Sequence, residues 1–189
     1  MSPTTPTPTT AERYATANGP LTDLIDNLPA DDWERDSPCD GWTARDVLRH
    51  MIETQRQFLA DHDVELPGAP DIDADPAAAW RGHSEAVLAA ISDERATATG
   101  YEGHFGPTTV GATLEQFHVF DMVAHRWDLS QAAGRVERFT DAELDQLEAG
   151  ITTFGDSIYM QGVCVPGVEV ATDADRQDRV LATLGRQAR

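Results

Sequence analysis

Apolar residues recur at three- and four-residue spacing along most of this chain, and stretches dense in Pro, Gly and Asp separate the runs. That period is helical. A first helical region is predicted over Ala11 to Asn27, interrupted or restarted at Asn18–Gly19–Pro20 because proline is best tolerated in a first turn. A second opens after Thr43, a good N-cap, with Asp46 placing negative charge near the helix start. It runs to about Ala60, with Val47, Leu48, Met51, Ile52, Phe58 and Leu59 forming its apolar stripe. A third spans Pro76 to Ser92, and a fourth spans Gly111 to Ala133, stopped by Gly134. A fifth starts behind Thr140, with Glu143 completing a capping box, and reaches about Tyr159. A last short helix falls over Asp173 to Leu184. Between the third and fourth helices, "ATATGYEGHFGPTTVGAT" reads as extended chain or a short hairpin. The sum is an all-α domain whose core is expected to be a four-helix bundle.

The fourth helix departs from a simple amphipathic pattern. At 100° per residue, Phe117, Phe120, Ala124 and Trp127 form one apolar sector. His118, Asp121, His125 and Asp128 share the adjoining sector, within roughly 80° of one another. Leu114 and Ala132 lie in that sector too, so the polar line is flanked by positions expected to be buried. A solvated face would instead carry mostly Glu, Arg and Gln, and desolvated carboxylates and imidazoles need partners.

Composition narrows the function classes. The 189 residues suffice for one domain with a substantial core. The 33 acidic residues against 14 basic ones give a net charge of -19, and every basic residue is Arg. Duplex nucleic acid and anionic membrane surfaces are therefore not expected as partners, since no basic patch of useful size is visible. The acidity and the Arg-only usage fit the codon bias of a high-GC genome, with salt adaptation as the rival reading. No run approaches the ~18 apolar residues of a membrane span. The opening "MSPTTPTPTT" lacks the features of a secretory signal, so the expected compartment is the cytoplasm. Residues 1–10 are expected to be a disordered Pro/Thr tail, 11–160 the helical bundle, and 161–189 a C-terminal loop and short helix packed on it. Cys39 and Cys164 could pair, but nothing else suggests a disulfide-stapled fold.

An Asp/His pair at i and i+4 can converge on one cation, and Asp121 and His125 have that spacing. A further ligand must come from another helix, and His50, at the border of the second helix's apolar stripe, is the best candidate. Two histidines and a carboxylate form a three-ligand set with room for water or substrate. A structural Asp121–His125 hydrogen bond is the competing reading. His118 is open between fourth ligand, a contact behind the ligands, a substrate contact and a core-edge histidine. His62, His83 and His104 carry no comparable pattern and are expected on the surface or in loops. Cys39 is either a reactive thiol near the site or a small buried residue ahead of the second helix.

Two blocks add a resemblance. "WERDSPCDGWTARDVLRHM" (Trp33 to Met51) and "DMVAHRWDLSQAAG" (Asp121 to Gly134) resemble the metal-binding domain of the mycothiol-dependent maleylpyruvate isomerase family, within the DinB-like group of four-helix bundles. The tail "DADRQDRVLATLGR" (Asp173 to Arg186) is similar to the closing helix of short family members. The resemblance implies a divalent metal, zinc or else nickel, held by His50, Asp121 and His125. The characterised isomerase has Glu where this chain has Asp121, a side chain one methylene longer. It further implies mycothiol, or another small thiol, as co-substrate in an isomerase or S-transferase acting on a small electrophile, with His118 and Asp128 near the reacting groups. The full isomerase carries a C-terminal α/β domain that residues 161–189 are too short to supply, which weakens the isomerase reading and leaves room for an entirely different substrate on a preserved metal domain. The rival function is a non-catalytic metal-binding sensor or interaction module, or a helical interaction protein with a vestigial site. A homodimer is left open.

Overall fold

A computed structural model describes residues 7–159 and 165–187. Four long helices carry the domain: α1 (Thr10–Asp26), α2 (Ala44–Asp61), α3 (Pro76–Ile91) and α6 (Phe120–Ala132). Helix α1 packs on α3 and α6, and α2 packs on the same two, so the four close into a bundle. Shorter pieces fill the connection from α3 to α6. They are α4 (Glu94–Ala98), a hairpin of β1 (Gly100–Gly103) and β2 (Gly106–Thr109), and α5 (Val110–Thr113). Helices α7 (Asp141–Phe154) and α8 (Arg176–Thr183) follow, with α8 docked on α7. The fold is all-α and DinB-like, as the periodicity and the resemblance lead one to expect.

Local chemistry explains most helix starts. Thr9, Thr43 and Thr140 each accept from the backbone three residues on, while Glu12, Asp46 and Glu143 reach back to complete three capping boxes. Thr9 and Thr10, assigned to the N-terminal tail by composition, thus cap and begin α1; residues 1–6 of that tail lie outside the described residues. So does Cys164.

Two expectations are corrected. Helix α1 runs unbroken through Pro20. Its buried face is Tyr14, Ala17, Leu21, Leu24 and Ile25, whereas Gly19 and Pro20 are exposed. The carbonyl that loses its donor to Pro20 is therefore hydrated, and packing of the other face outweighs the propensity cost. The predicted fourth helix is not uniform either: α5 passes into a π-helical segment, Leu114–Val119, before α6 begins. Single π turns inside a helix are rare and often mark functional sites.

The middle of helix α6 is buried on every side. All nine residues from Met122 to Ser130 are inaccessible, including His125, Arg126 and Asp128. Arg126 satisfies its charge on the α7 side, 2.8 Å from Glu137 and paired with Glu143. Close approach of α7 depends on Gly150, since a Cβ there would lie 2.5 Å from the Phe120 ring. None of the described helices is long and apolar enough to cross a membrane.

Candidate metal centre

The loop before α2 sets one wall of the site. Residues 37–42 form a tight turn in which Ser37 N–H donates to the Trp42 carbonyl (2.8 Å) and Trp42 N–H donates to the Cys39 carbonyl (3.0 Å). Gly41 sits at φ 74°, a conformation that favours glycine. The turn points the Cys39 thiol toward α6 and lays the Trp42 indole over the first turns of α2. Its ring centroid is 5.0 Å from that of His50 and 6.5 Å from that of His125.

His50 comes from α2, and Asp121 and His125 come from successive turns of α6. His50 Nε2 is 3.7 Å from Asp121 Oδ2, and the two imidazoles meet edge-on at 5.3 Å. One ligand atom from each of the three residues lies within 4.8 Å of the others. That convergence suits a small divalent cation with N and O ligands. His50 and Asp121 are half-buried and so partly open to solvent, while His125 is buried. Burial acts against the charge on Asp121, yet the hydrogen bond to His50 and the nearby His125 and His118 outweigh it. Its carboxyl titrates below the ordinary range.

His125 is held from behind. Its Nδ1 lies 2.8 Å from Asp128 Oδ2, a distance that fits Nδ1–H donation to the carboxylate and leaves Nε2 as the ring nitrogen with a free lone pair. Asp128 is fully buried and receives three further contacts from Arg186: Nε to Oδ1 (2.9 Å), Nε to Oδ2 (3.1 Å) and Nη2 to Oδ2 (2.7 Å). Burial alone would raise its pKa, but Arg186 and His125 reverse this and hold the carboxylate ionised. Cys39 Sγ is also 3.4 Å from Asp128 Oδ2.

Cys39, His125 and Asp128 form a second group with ligand atoms close enough for a metal. Arg186 argues against that use, because its guanidinium already occupies the carboxylate and would face any added cation. Burial, reinforced by Asp128, pushes the Cys39 thiol up to about 12, so it is a neutral donor. Of the two readings from the sequence, the partly buried structural thiol fits.

His118 projects from the π segment one turn ahead of Asp121. It is not in either group of converging ligands among the described residues. Its ring packs on Phe58 at 5.0 Å, and its buried Nδ1 has no hydrogen-bond partner among the described residues. Burial lowers its pKa to about 4, against the opposing pull of Asp121. Among the other histidines, His83 corrects the surface expectation. It is 1% exposed on α3, with Nε2 3.0 Å from Gln55 Oε1, and burial lowers its pKa to about 3. His104 is exposed in the hairpin turn and His62 caps the end of α2 half-buried, so those two fit the surface reading.

Residues 14–130 match the family described as the mycothiol maleylpyruvate isomerase N-terminal domain. The chain belongs to that family. Similar curated proteins are two named "uncharacterized" from Mycobacterium tuberculosis, one from strain CDC 1551 / Oshkosh and one from strain H37Rv. Each is 30% identical over 116 residues, which are 59% of this chain and 60% of the relative. The chain therefore spans less than two thirds of the length of the curated relatives it matches. No solved structure matches it. The span shared with the mycothiol maleylpyruvate isomerase N-terminal domain family holds His50, Asp121, His125, His118 and Asp128, and it ends before Arg186.

Proposed function

We propose that the protein is a metal-dependent enzyme that uses a small thiol, of the mycothiol type, against a small electrophilic substrate, as an isomerase or S-transferase. The observation that carries this reading is the convergence of His50, Asp121 and His125, the first two partly open to solvent, with His125 braced by a buried ionised carboxylate. The donor set fits a borderline divalent ion, zinc first and nickel second. When bound with an open position, such an ion lowers the pKa of a coordinated thiol and so supplies a thiolate at neutral pH.

The chain's own residues would do the rest. His50 and His125 bind through neutral imidazole nitrogens, and Asp121 adds one negative charge. Asp128 fixes the His125 tautomer that presents Nε2. The Trp42 indole shields the two imidazoles from water on one side. His118, neutral and one turn ahead of Asp121, keeps a buried Nδ1 without a hydrogen-bond partner among the described residues. Thiolate addition to an electron-poor double bond permits rotation about it before the thiol is expelled, which is a cis–trans isomerisation; without expulsion the outcome is S-transfer.

A non-catalytic metal module would close the site with a fourth protein ligand. His118 is the residue placed for that role, and its absence from the converging group favours the open, catalytic arrangement.

The test is elemental analysis of the untagged protein beside His125→Ala, followed by turnover assays with thiols and electrophilic alkenes. One equivalent of metal, lost in the variant, and thiol-dependent turnover support the reading. No metal in either protein after incubation with Zn²⁺ or Ni²⁺ overturns it.

A further inference from the structure

We infer that Arg186, delivered by the C-terminal helix, is a positioning residue for the metal centre: it fixes Asp128, which fixes His125. This rests on the reading of His50, Asp121 and His125 as metal ligands.

The sequence builds the delivery in three steps. First, α8 is anchored on the body of the domain. Val180, Leu181 and Leu184 are buried, Gln177 Oε1 accepts from Phe139 N–H (2.8 Å), and Arg176 pairs with Glu148 of α7 (2.7 Å). Second, the helix ends in a defined stop. Gly185 N–H donates to the Ala182 carbonyl and Arg186 N–H donates to the Leu181 carbonyl, both at 2.9 Å, with Gly185 at φ 73°. This double bond pattern is the Schellman motif, and it needs a residue that enters the left-handed region without cost. A Cβ at Gly185 would also lie 2.2 Å from Val165 Cγ2 and 2.8 Å from Val165 O, so glycine is required twice. Third, the motif places Arg186 just past the turn, where its side chain is buried and forks onto Asp128.

A planar guanidinium that donates from Nε and Nη2 to one carboxylate leaves that carboxylate little freedom to rotate. Asp128 Oδ2 is then held 2.8 Å from His125 Nδ1. An ionised, immobile acceptor selects the Nδ1–H tautomer and the ring orientation, and partners behind ligating histidines typically contribute 10- to 100-fold in metal affinity. Without Arg186 the carboxylate would lose the three contacts that fix its plane, keeping among the described residues only His125 and the weak Cys39 thiol donor, and it would be free to turn away from Nδ1. Fifty-eight positions separate the two residues, and the family match ends well before the second.

The experiment compares wild type, Arg186→Gln, Arg186→Lys and the charge-neutral pair Asp128→Asn/Arg186→Gln. Zn²⁺ affinity is measured by chelator competition, and the His125 tautomer by ¹⁵N NMR of the metal-free protein. The neutral pair guards against a single variant that fails to fold with a stranded charge. Expected are a roughly 10- to 100-fold loss of affinity in soluble Arg186→Gln and in the neutral pair, and a smaller loss in Arg186→Lys, which keeps the charge but not the fork. The ¹⁵N shifts should report Nδ1–H in wild type and a tautomer mixture in Arg186→Gln. Wild-type affinity in the neutral pair, or an unchanged tautomer in the soluble Gln variants, overturns the inference. If wild type takes up no metal, the metal reading fails on its own, and the tautomer comparison still decides the role of Arg186.

Discussion

His125 and Asp128 lie one turn apart on α6, and the 2.8 Å contact between His125 Nδ1 and Asp128 Oδ2 divides the imidazole into a structural nitrogen and a reactive one. A carboxylate behind a histidine raises its basicity and settles its tautomer. Asp128→Asn keeps an acceptor of the same shape but removes the charge. Zn²⁺ affinity should fall by roughly 10- to 100-fold, with helical content retained. Competition with a chromogenic chelator reads the change, and equal affinities would separate Asp128 from the centre.

Asp121 supplies the negative charge among the three converging donors. Asp121→Asn should therefore abolish stoichiometric metal at neutral pH, and Asp121→Glu should retain it, since the longer carboxylate preserves charge and ligand type. Metal content after dialysis checks both; a fully loaded Asn variant would contradict this assignment.

Cys39 is expected to be slow toward alkylating reagents. With its pKa pushed up to about 12 by burial and by Asp128, the thiolate fraction at pH 8 falls on the order of a thousandfold below that of a free thiol. Iodoacetamide kinetics on a Cys164→Ser background measure it in the folded protein and in urea. Similar rates in the two conditions would place Cys39 among exposed thiols.

His83 should make the fold sensitive to acid. Its folded pKa, about 3, lies below the ordinary 6.5, so the unfolded chain takes up the proton first as pH falls. The full stability is present above about pH 6.5 and is lost progressively between there and pH 3, roughly 2 kcal/mol of it by pH 5. His118, also depressed by burial, acts with the same sign. Urea unfolding at pH 7 and pH 5 should show a smaller drop for His83→Gln than for wild type. Parallel drops would mean that His83 is protonated in the folded state.

Gly150→Ala tests the packing of α7 on α6. Helix propensity favours alanine by about 1 kcal/mol. The new Cβ would meet the Phe120 ring at 2.5 Å, and Phe120 is itself held edge-on against Phe154 at 5.2 Å. Overpacking of about 1–3 kcal/mol should win, and the thermal midpoint should fall. A rise would show that the ring moves aside freely.

Much of this was legible in the chain. Helix boundaries followed from Thr43, Thr140 and Gly134, because caps and stops are chemically local. The line His118, Asp121, His125 and Asp128 was visible because burial of so many polar groups demands partners, and His50 followed from needing a donor on a second helix. What escaped notice was non-local. Nothing in the periodicity marks Leu114–Val119 as a π segment, and a wheel drawn at 100° per residue loses phase there. Trp42 looked like a loop residue until the turn at Gly41 carried it over His50. His83 looked superficial because its partner Gln55, also bound by Tyr14, lies on another helix. Arg186 closes the tail block that resembles short family members, but nothing in that block names its partner, and only the tertiary structure brings it to Asp128.

The π segment also separates two coordinate frames within what reads as one helix. Its residues amount to a single inserted position, so deleting one of them would restore regular α geometry and turn the directly preceding α5 and β1–β2 hairpin by about 100° about the axis of α6, while α1 and α2 keep their own packing on α6. Asp121 and His125 follow the segment and His50 is held on α2 against α6, so all three stay in place, whereas the hairpin and Tyr101, which packs on His62, are turned. One residue's gain or loss can thus re-index the hairpin against the bundle while the three converging side chains keep their register.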